Sequence, residues 1–129
     1  MSSKLLQSIH TPNAPEAIGP YSQAIKAGGF VFTSGAIALK PDGTFLEGDI
    51  EAQSEQALRN LRAILEASGV GLAQVVKTTC FLVNMEDFAA FNAVYAKFFD
   101  EHKPARSTIA VKTLPKNALI EIEAIAVLS

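Results

Sequence analysis

Apolar residues recur along this chain at the two spacings that helices and strands require. In residues 50–67 they recur at helical spacing, which predicts an amphipathic helix with Asp49 as its N-cap and Gly69 just after its end. A second helix is predicted for residues 85–99, with Asn84 as its cap. Each helix therefore offers one apolar face to a core. These faces consist of Ala57, Leu58, Leu61, Ile64 and Leu65 in the first helix and Phe88, Phe91, Tyr95, Phe98 and Phe99 in the second.

Six other segments have the β-branched, aromatic or alternating pattern of strands. Gly28 and Gly29 join the second and third of them in a predicted hairpin. The order of elements is strands, helix, strand, helix, strands, which predicts an α+β sandwich with two helices on one sheet. The predicted strands are residues 5–9, 21–27, 30–34, 75–83, 106–113 and 119–128.

The sheet face that the helices leave uncovered carries a mixture of apolar and charged residues. Two helices cover one face of a sheet, and the uncharged side of the last strand suits that face. That side has Ile120, Ile122, Ala124, Ala126 and Leu128, and the other has Leu119, Glu121, Glu123, Ile125 and Val127. The strand at 75–83 is similarly mixed, with Val75, Lys77, Thr79, Phe81 and Val83 on one side. We expect an oligomer whose interface covers this face and encloses polar groups.

Composition and charge exclude several classes of protein. The chain has 129 residues, 49% of them hydrophobic, which fits one domain over residues 1–129 and excludes intrinsic disorder. A net charge of −2 argues against nucleic-acid binding. One cysteine, Cys80, excludes an internal disulfide, and His10 and His102 lack the spacing of metal ligands. The chain has no long apolar run and its start lacks the apolar core of a signal peptide, so we expect a soluble, cytoplasmic protein with no membrane partner.

Arg106 is separated from the other two arginines, which share the first predicted helix. It follows Pro104 and Ala105, where the backbone is extended, and it stands at the start of a strand. A guanidinium is suited to bidentate binding of a small carboxylate. A surface or interface ion pair is the alternative, and spacing alone favours it.

Several other residues carry candidate chemistry, each with an ordinary structural alternative. Glu121 and Glu123 share one face of a strand and could position a water or exchange a proton, or they pair with lysines or solvent. Tyr21 follows a rigid Gly-Pro step and reads equally as a pocket donor or a core tyrosine. Asn92 lies among phenylalanines and needs a partner, either backbone or ligand.

Gly35 and Cys80 are the last two candidates. Gly35, at the end of the Thr33–Ser34–Gly35 segment, permits either a close backbone approach to a ligand or a turn. Cys80 lies in an apolar strand, so a buried, inert thiol is the favoured interpretation.

Five motifs in order resemble the reactive-intermediate deaminase family, also called the YjgF-like family. The resemblance covers nearly the whole chain. The motifs are APEAIGPYSQ at 14–23, TSG at 33–35, VKTT at 76–79, PARS at 104–107 and IEIEAIA at 120–126.

This resemblance implies a chorismate-mutase-like sandwich, with a mixed sheet and two helices on one face, that assembles as a homotrimer with clefts between subunits. It implies hydrolysis of 2-imino acids or their enamine tautomers to 2-keto acids and ammonia, with no metal and no cofactor. Arg106 would then bind the substrate carboxylate and Glu121 would orient the attacking water.

The same resemblance implies substrate-binding roles for Tyr21, Ser34, Gly35 and Asn92. Thr108 stands where some members have a cysteine, so thiol chemistry is excluded at that substrate-binding position. Two other functions stay open: a regulator that binds small carboxylic acids in the same clefts, and an endoribonuclease or translation inhibitor, which the net charge of −2 disfavours.

Overall fold

A computed structural model describes residues 5–128 as one mixed sheet with two helices. The α+β class predicted from the order of elements is confirmed. The strands are β1 (Gln7–Ile9), β2 (Ala24–Ala27), β3 (Phe30–Thr33), β4 (Val75–Leu82), β5 (Ala105–Ala110) and β6 (Ile120–Val127). The helices are α1 (Ile50–Ala67) and α2 (Phe88–Phe99). Residues 1–4, on which the prediction about a signal peptide depends in part, lie outside the described residues. Residue 129, the last of the predicted domain, also lies outside them.

The sheet has the order β1-β2-β3-β6-β4-β5. Its neighbours are antiparallel except β4 and β5, which are parallel, so the sheet is mixed. Parallel neighbours need a crossover connection, and α2 supplies it between β4 and β5. β5 is therefore an edge strand beside the crossover helix.

The first helix begins and ends where its sequence predicts. Asp49 Oδ1 accepts a hydrogen bond of 2.9 Å from the backbone N–H of Ala52, and Gly69 follows the helix with a φ of 90°. The second helix is shorter than predicted, because residues Met85–Asp87 form a 3₁₀ turn before it. Asn84 caps that turn, with Oδ1 accepting from the N–H of Glu86 at 2.9 Å.

The predicted strands are all longer than the observed ones, and the start of the second and the end of the fifth differ most. The second begins at Ala24, because the backbone turns sharply where the N–H of Tyr21 donates to the carbonyl of Gly19 at 2.8 Å. The fifth ends at Ala110, since the partner strand β4 ends at Leu82 and register pairs those two residues. The end of β5 is thus decided by the length of its neighbour, and the start of β2 by a local turn.

The core lies between the helices and one side of the sheet. As predicted, alternate residues of β6 are buried there, and Leu128 is half-buried beyond them. The buried β6 residues are Ile120, Ile122, Ala124 and Ala126.

Val75 does not lie on the side predicted for it. Register pairs Val75 with Ala126 and Lys77 with Ile125, so an extra residue bulges out of β4 between them. The bulge turns Val75 into the core, while Lys77 stays on the uncovered face. Period-two alternation predicts the wrong side wherever such a bulge intervenes.

The uncovered face is partly apolar, as its pattern predicts. Phe30 and Phe32 of β3 are 38% and 43% exposed, and Val127 of β6 is 37% exposed. The oligomer predicted to cover this face stays a prediction. No helix within residues 5–128 has the length and apolar character needed to cross a membrane.

Candidate active site

Arg106 lies on β5, and its side chain reaches under α2. Its Nη1 donates a hydrogen bond of 2.7 Å to Oδ1 of Asn92. The guanidinium carbon lies 4.7 Å from the ring centroid of Tyr95 and 5.4 Å from that of Phe88. Two residues predicted for the site, Arg106 and Asn92, are therefore in direct contact, and the amide of Asn92 has a side-chain partner.

No carboxylate neutralises Arg106 within the described chain. The ion pair found in residues 5–128 joins Arg59 to Glu55 on the surface of α1 at 2.6 Å. The alternative of a surface ion pair is therefore wrong for Arg106 within residues 5–128, and that of an interface ion pair stays a prediction. A guanidinium has five N–H donors, and Asn92 occupies one of them, so donors remain for a bidentate carboxylate.

Thr108 lies two residues further along β5, on the same side as Arg106. Its Oγ1 is buried and has no oxygen or nitrogen partner in the described residues. Thr108 is paired with Cys80 in the register of β4 and β5, and its hydroxyl lowers the pKa of that thiol. A buried hydroxyl without a strong partner is costly unless a ligand completes it.

Cys80 is fully buried in β4. Burial raises the pKa of its thiol to about 11, although Thr78, Arg106 and Thr108 each offset part of this effect. The burial predicted for this thiol is therefore confirmed, and its raised pKa supports the interpretation that it is inert, since the thiolate is the reactive form.

A second group of predicted site residues lines a cavity of about 400 Å³ beside the end of β3 and the start of β6. Tyr21, Ser34, Gly35 and Glu121 all line it. Tyr21 is 53% exposed, so the alternative of a core tyrosine is wrong. Ser34 Oγ donates a hydrogen bond of 2.6 Å to the carbonyl of Ser22, which ties the end of β3 to the segment that carries Tyr21.

Gln23 holds the irregular segment before Tyr21 in place. Its side chain is buried, accepts a hydrogen bond of 2.7 Å from the N–H of Thr11 and donates one of 2.7 Å to the carbonyl of Pro15. Proline-rich backbone has few internal hydrogen bonds, so a buried amide supplies them instead. The buried side chain of Gln23 thus holds in place the segment that forms this wall of the cavity.

Gly35 makes room for Glu121. A Cβ at position 35 would overlap Oε2 of Glu121 and would lie only 2.9 Å from its Cγ. Within the protomer, the group that closely approaches the backbone of Gly35 is therefore the carboxylate of Glu121. Only a residue without a Cβ leaves that carboxylate in its place beside the backbone.

The carboxyl group of Glu121 is half-buried and has no hydrogen-bonding side chain around it in residues 5–128. Burial raises its pKa above the usual value, and the charge of Glu123 on the same face raises it further. Neither glutamate pairs with a lysine there; Lys77 donates to Oγ of Ser107 at 3.0 Å instead. A carboxyl with a raised pKa exchanges its proton closer to neutral pH, as general acid–base chemistry requires.

The two groups lie on opposite faces of the sheet within one protomer. Arg106 is paired with the buried Thr78, on the helix-covered face, whereas Glu121 alternates with the fully buried Ile120 and Ile122 and faces the other way. The protomer therefore brings together Arg106, Asn92 and Thr108, and separately Tyr21, Ser34, Gly35 and Glu121.

Four residues at these places were not identified from the sequence as site residues. Phe88 and Tyr95 were expected only as core, yet both contact Arg106. Their spacing with Asn92 places all three on one helix face, a signal that was present. Thr78 forms a hydrogen bond with Tyr95, and Lys116, whose φ is 61°, lines the Glu121 cavity. No local pattern in the sequence predicts either of these placements.

The described residues contain no group of three or more histidine, cysteine, aspartate or glutamate side chains placed to hold a metal ion. The chemistry available at these positions is that of a guanidinium, a carboxyl group of raised pKa, hydroxyls and backbone N–H groups. Such groups bind a small anion and move a proton.

Comparisons with known proteins agree on one family. The family model described as Endoribonuclease L-PSP matches residues 11–128. A RutC family protein of Pyrococcus horikoshii is 56% identical over 92% of this chain and 94% of its own. The 2-iminobutanoate/2-iminopropanoate deaminase of Salmonella typhimurium is 48% identical over 94% of this chain and 97% of its own. The crystal structure of E. coli TdcF with bound serine superposes with a TM-score of 0.91 at 44% identity, covering 95% of this chain and 99% of that one.

Proposed function

This chain belongs to the endoribonuclease L-PSP family, which includes proteins named reactive intermediate deaminases, and we propose that it is an imine deaminase. The proposed substrates are 2-imino acids such as 2-iminobutanoate and 2-iminopropanoate, or their enamine tautomers, and the products are 2-keto acids and ammonia. One observation carries the proposal: Arg106 has a guanidinium that is held in place, half-buried and free of any carboxylate partner in the described chain. The relative of that name in Salmonella supports the choice of reaction.

Substrate binding follows from the chemistry of Arg106. The substrate carries a carboxylate next to its reactive carbon, and two parallel N–H groups of the guanidinium match its two oxygens. The unpartnered hydroxyl of Thr108 lies on the same strand face and adds a donor. That a related protein holds serine, which has a carboxylate beside a nitrogen-bearing carbon, supports this chemistry.

The hydrolytic step needs a base and then an acid. The carboxylate of Glu121 takes a proton from a water whose oxygen forms a bond to the imine carbon. Addition of the water gives a carbinolamine, and the Glu121 carboxyl group returns the proton to its nitrogen. The carbon–nitrogen bond then breaks as the hydroxyl group becomes the carbonyl, the hydroxyl proton passes to the Glu121 carboxylate, and ammonia leaves the 2-keto acid. An iminium carbon is already electrophilic, so orientation of the water and the substrate is the main contribution of the protein.

A complete site of this kind requires more than one copy of the chain. Because Arg106 and Glu121 face opposite sides of the sheet, the proposed site combines Arg106, Asn92 and Thr108 of one copy with Tyr21, Ser34, Gly35 and Glu121 of another. The partly apolar uncovered face supports self-association, and a homotrimer with clefts between copies is the assembly we propose.

The experiment compares Arg106→Ala with wild type. A threonine dehydratase generates 2-iminobutanoate, and the release of 2-oxobutanoate is followed with and without the protein. We expect wild type to accelerate this release and Arg106→Ala to leave only the uncatalysed rate. Arg59→Ala, which removes an exposed arginine of α1, is the matched control and keeps the acceleration. Full activity in Arg106→Ala would refute the role of Arg106.

A protein that only binds carboxylic acids, as a regulator does, would need Arg106 but not Glu121. The variant Glu121→Gln separates the two functions, since it removes the base and keeps the size of the side chain. We expect hydrolysis to fall while calorimetric binding of 2-oxobutanoate persists. Binding in wild type without any acceleration of imine hydrolysis would favour the regulator.

The family description names an endoribonuclease, and the charge of this chain opposes that activity here. A net charge of −2 supplies no broad basic surface for a phosphate backbone. We expect no salt-sensitive RNA binding, and a filter-binding titration at low and high salt checks it.

A further inference from the structure

Three residues of α2 hold the guanidinium of Arg106 from one side. Phe88, Asn92 and Tyr95 lie on a common helix face, and each contacts Arg106 through a ring or an amide. Of the two rings, that of Tyr95 lies nearer to Arg106 than that of Phe88, with its centroid 4.7 Å from the guanidinium carbon. A cation at that distance over a tyrosine face is attracted by the ring quadrupole.

The ring of Tyr95 is itself fixed. Its hydroxyl shares a hydrogen bond of 2.8 Å with Oγ1 of Thr78, and its ring stacks on Phe99 with centroids 4.5 Å apart. Thr78 is fully buried and lies directly opposite Arg106 in the parallel pairing of β4 and β5. The strand beside Arg106 thus anchors the ring on which Arg106 rests.

We propose that Tyr95, anchored by Thr78, is a positioning residue that holds the Arg106 guanidinium ready for a carboxylate. An unsupported arginine loses side-chain freedom when it binds, whereas a guanidinium already held by a ring and by Asn92 loses less. The hydroxyl of Tyr95 does not touch the ligand; it keeps the ring from turning. The inference rests on the proposed function only in taking a small carboxylate as the ligand.

The test measures carboxylate affinity directly, with 2-oxobutanoate as the calorimetric probe. We expect Tyr95→Leu to weaken binding about tenfold, because the cation–π contact is lost. Val94→Ala is the matched control: this residue of the same helix is as buried as Tyr95, at 8% against 7% exposed, and it makes no ring contact with Arg106 in residues 5–128. We expect its affinity to stay within about twofold of wild type. Tyr95→Phe keeps the ring and recovers most of the lost affinity.

A second measurement reports the guanidinium itself. The chain has three arginines, so its side-chain ¹⁵N spectrum is simple, and Arg106→Lys identifies the Arg106 signals. We expect hindered rotation of the guanidinium in wild type and in Val94→Ala, and free rotation in Tyr95→Leu. A loss of packing alone would affect Tyr95→Leu and Val94→Ala alike.

The outcomes separate this inference from the proposed reaction. Equal affinity loss in Tyr95→Leu and Val94→Ala, or wild-type affinity in Tyr95→Leu, overturns the positioning role even if imines are hydrolysed. A selective loss in Tyr95→Leu upholds it even if wild type hydrolyses no imine. In an active protein we expect the loss to appear as a rise in KM, with kcat changed by less than about threefold.

Discussion

Gly35 offers a way to move the Glu121 carboxylate without changing its chemistry. The variant Gly35→Ala adds one methyl group beside that side chain. The new Cβ would overlap Oε2 of Glu121 and would lie 2.7 Å from its Cδ. No real Cβ contact is that short, so the carboxylate has to swing away, while its charge and its strand stay the same.

The magnitude on stability is small because the obstructing group is the end of a flexible, half-buried side chain. An unfavourable rotamer of Glu121 costs about 0.5–1.5 kcal/mol. Replacing glycine by alanine removes freedom from the unfolded chain and returns about 0.4–1 kcal/mol where the backbone allows it. Gly35 has no positive φ, so the backbone does allow it. The net change in the free energy of unfolding is then within about 1 kcal/mol, and the shift of Tm is less than about 5 °C.

The effect on catalysis is large, because a displacement of about 1 Å in a reacting group can cost about 100-fold. We expect kcat/KM for 2-iminobutanoate in Gly35→Ala to fall about 10- to 100-fold in the dehydratase-coupled assay. Carboxylate binding through Arg106 should persist, since the substitution leaves the donors of Arg106 and its contact with Asn92 unchanged.

Gly71→Ala is the matched control for this prediction. Its Cβ would meet no atom within 4 Å, and its φ of −116° suits alanine. In a Glu121→Ala background, Gly35→Ala should have no further effect on the rate, because the displaced group is already gone. Wild-type activity in Gly35→Ala, or an equal loss in both backgrounds, would show that Gly35 does not act through Glu121.

Three further predictions concern stability and reactivity. Burial and the charge of Glu123 raise the pKa of Glu121 above its usual value of 4.5, so the ionised carboxylate destabilises the folded protein. This destabilisation is absent below pH 4.5 and reaches its full size above the raised pKa of the folded state. The stability of wild type relative to Glu121→Gln should therefore decline as pH rises through that interval, in paired urea titrations. Thr108→Val, which removes a buried hydroxyl without an oxygen or nitrogen partner, should keep or raise stability by up to about 1 kcal/mol while weakening 2-oxobutanoate binding about tenfold; a clear fall in Tm would contradict this. Because burial raises the pKa of Cys80 to about 11, a thiol reagent at pH 8 should modify it only after denaturation, and rapid labelling of the folded protein would disprove that burial.

Local features of the chain were predicted well because neighbouring residues carry them. The bounds of α1 follow from its apolar spacing, the Asp49 cap and the glycine after its end, all within reach of one another. The hairpin at Gly28 and Gly29 is equally local. The early end of β5 was missed because it depends on where the neighbouring strand β4 ends, whereas the 3₁₀ turn before α2 is a local feature, capped by Asn84, that helical spacing does not distinguish from the helix.

For the candidate site, residue types and motifs singled out the members but not their grouping. Arg106 and Asn92 meet because α2 crosses over between the parallel strands β4 and β5, and no spacing in the sequence measures that contact. The bulge that turns Val75 into the core also depends on pairing with a distant strand.

By itself, the sequence determined where helices and most strands lie, which side of β6 is apolar, and that one arginine stands apart with a family motif around it. Only the tertiary structure decided that this arginine rests on Tyr95 and Asn92, that Glu121 occupies the space a glycine leaves, and that the two lie on opposite faces of one sheet. The physical reason is the range of the forces involved. Turn geometry and periodicity act between neighbours in the chain, whereas strand order and helix packing join residues far apart in the sequence.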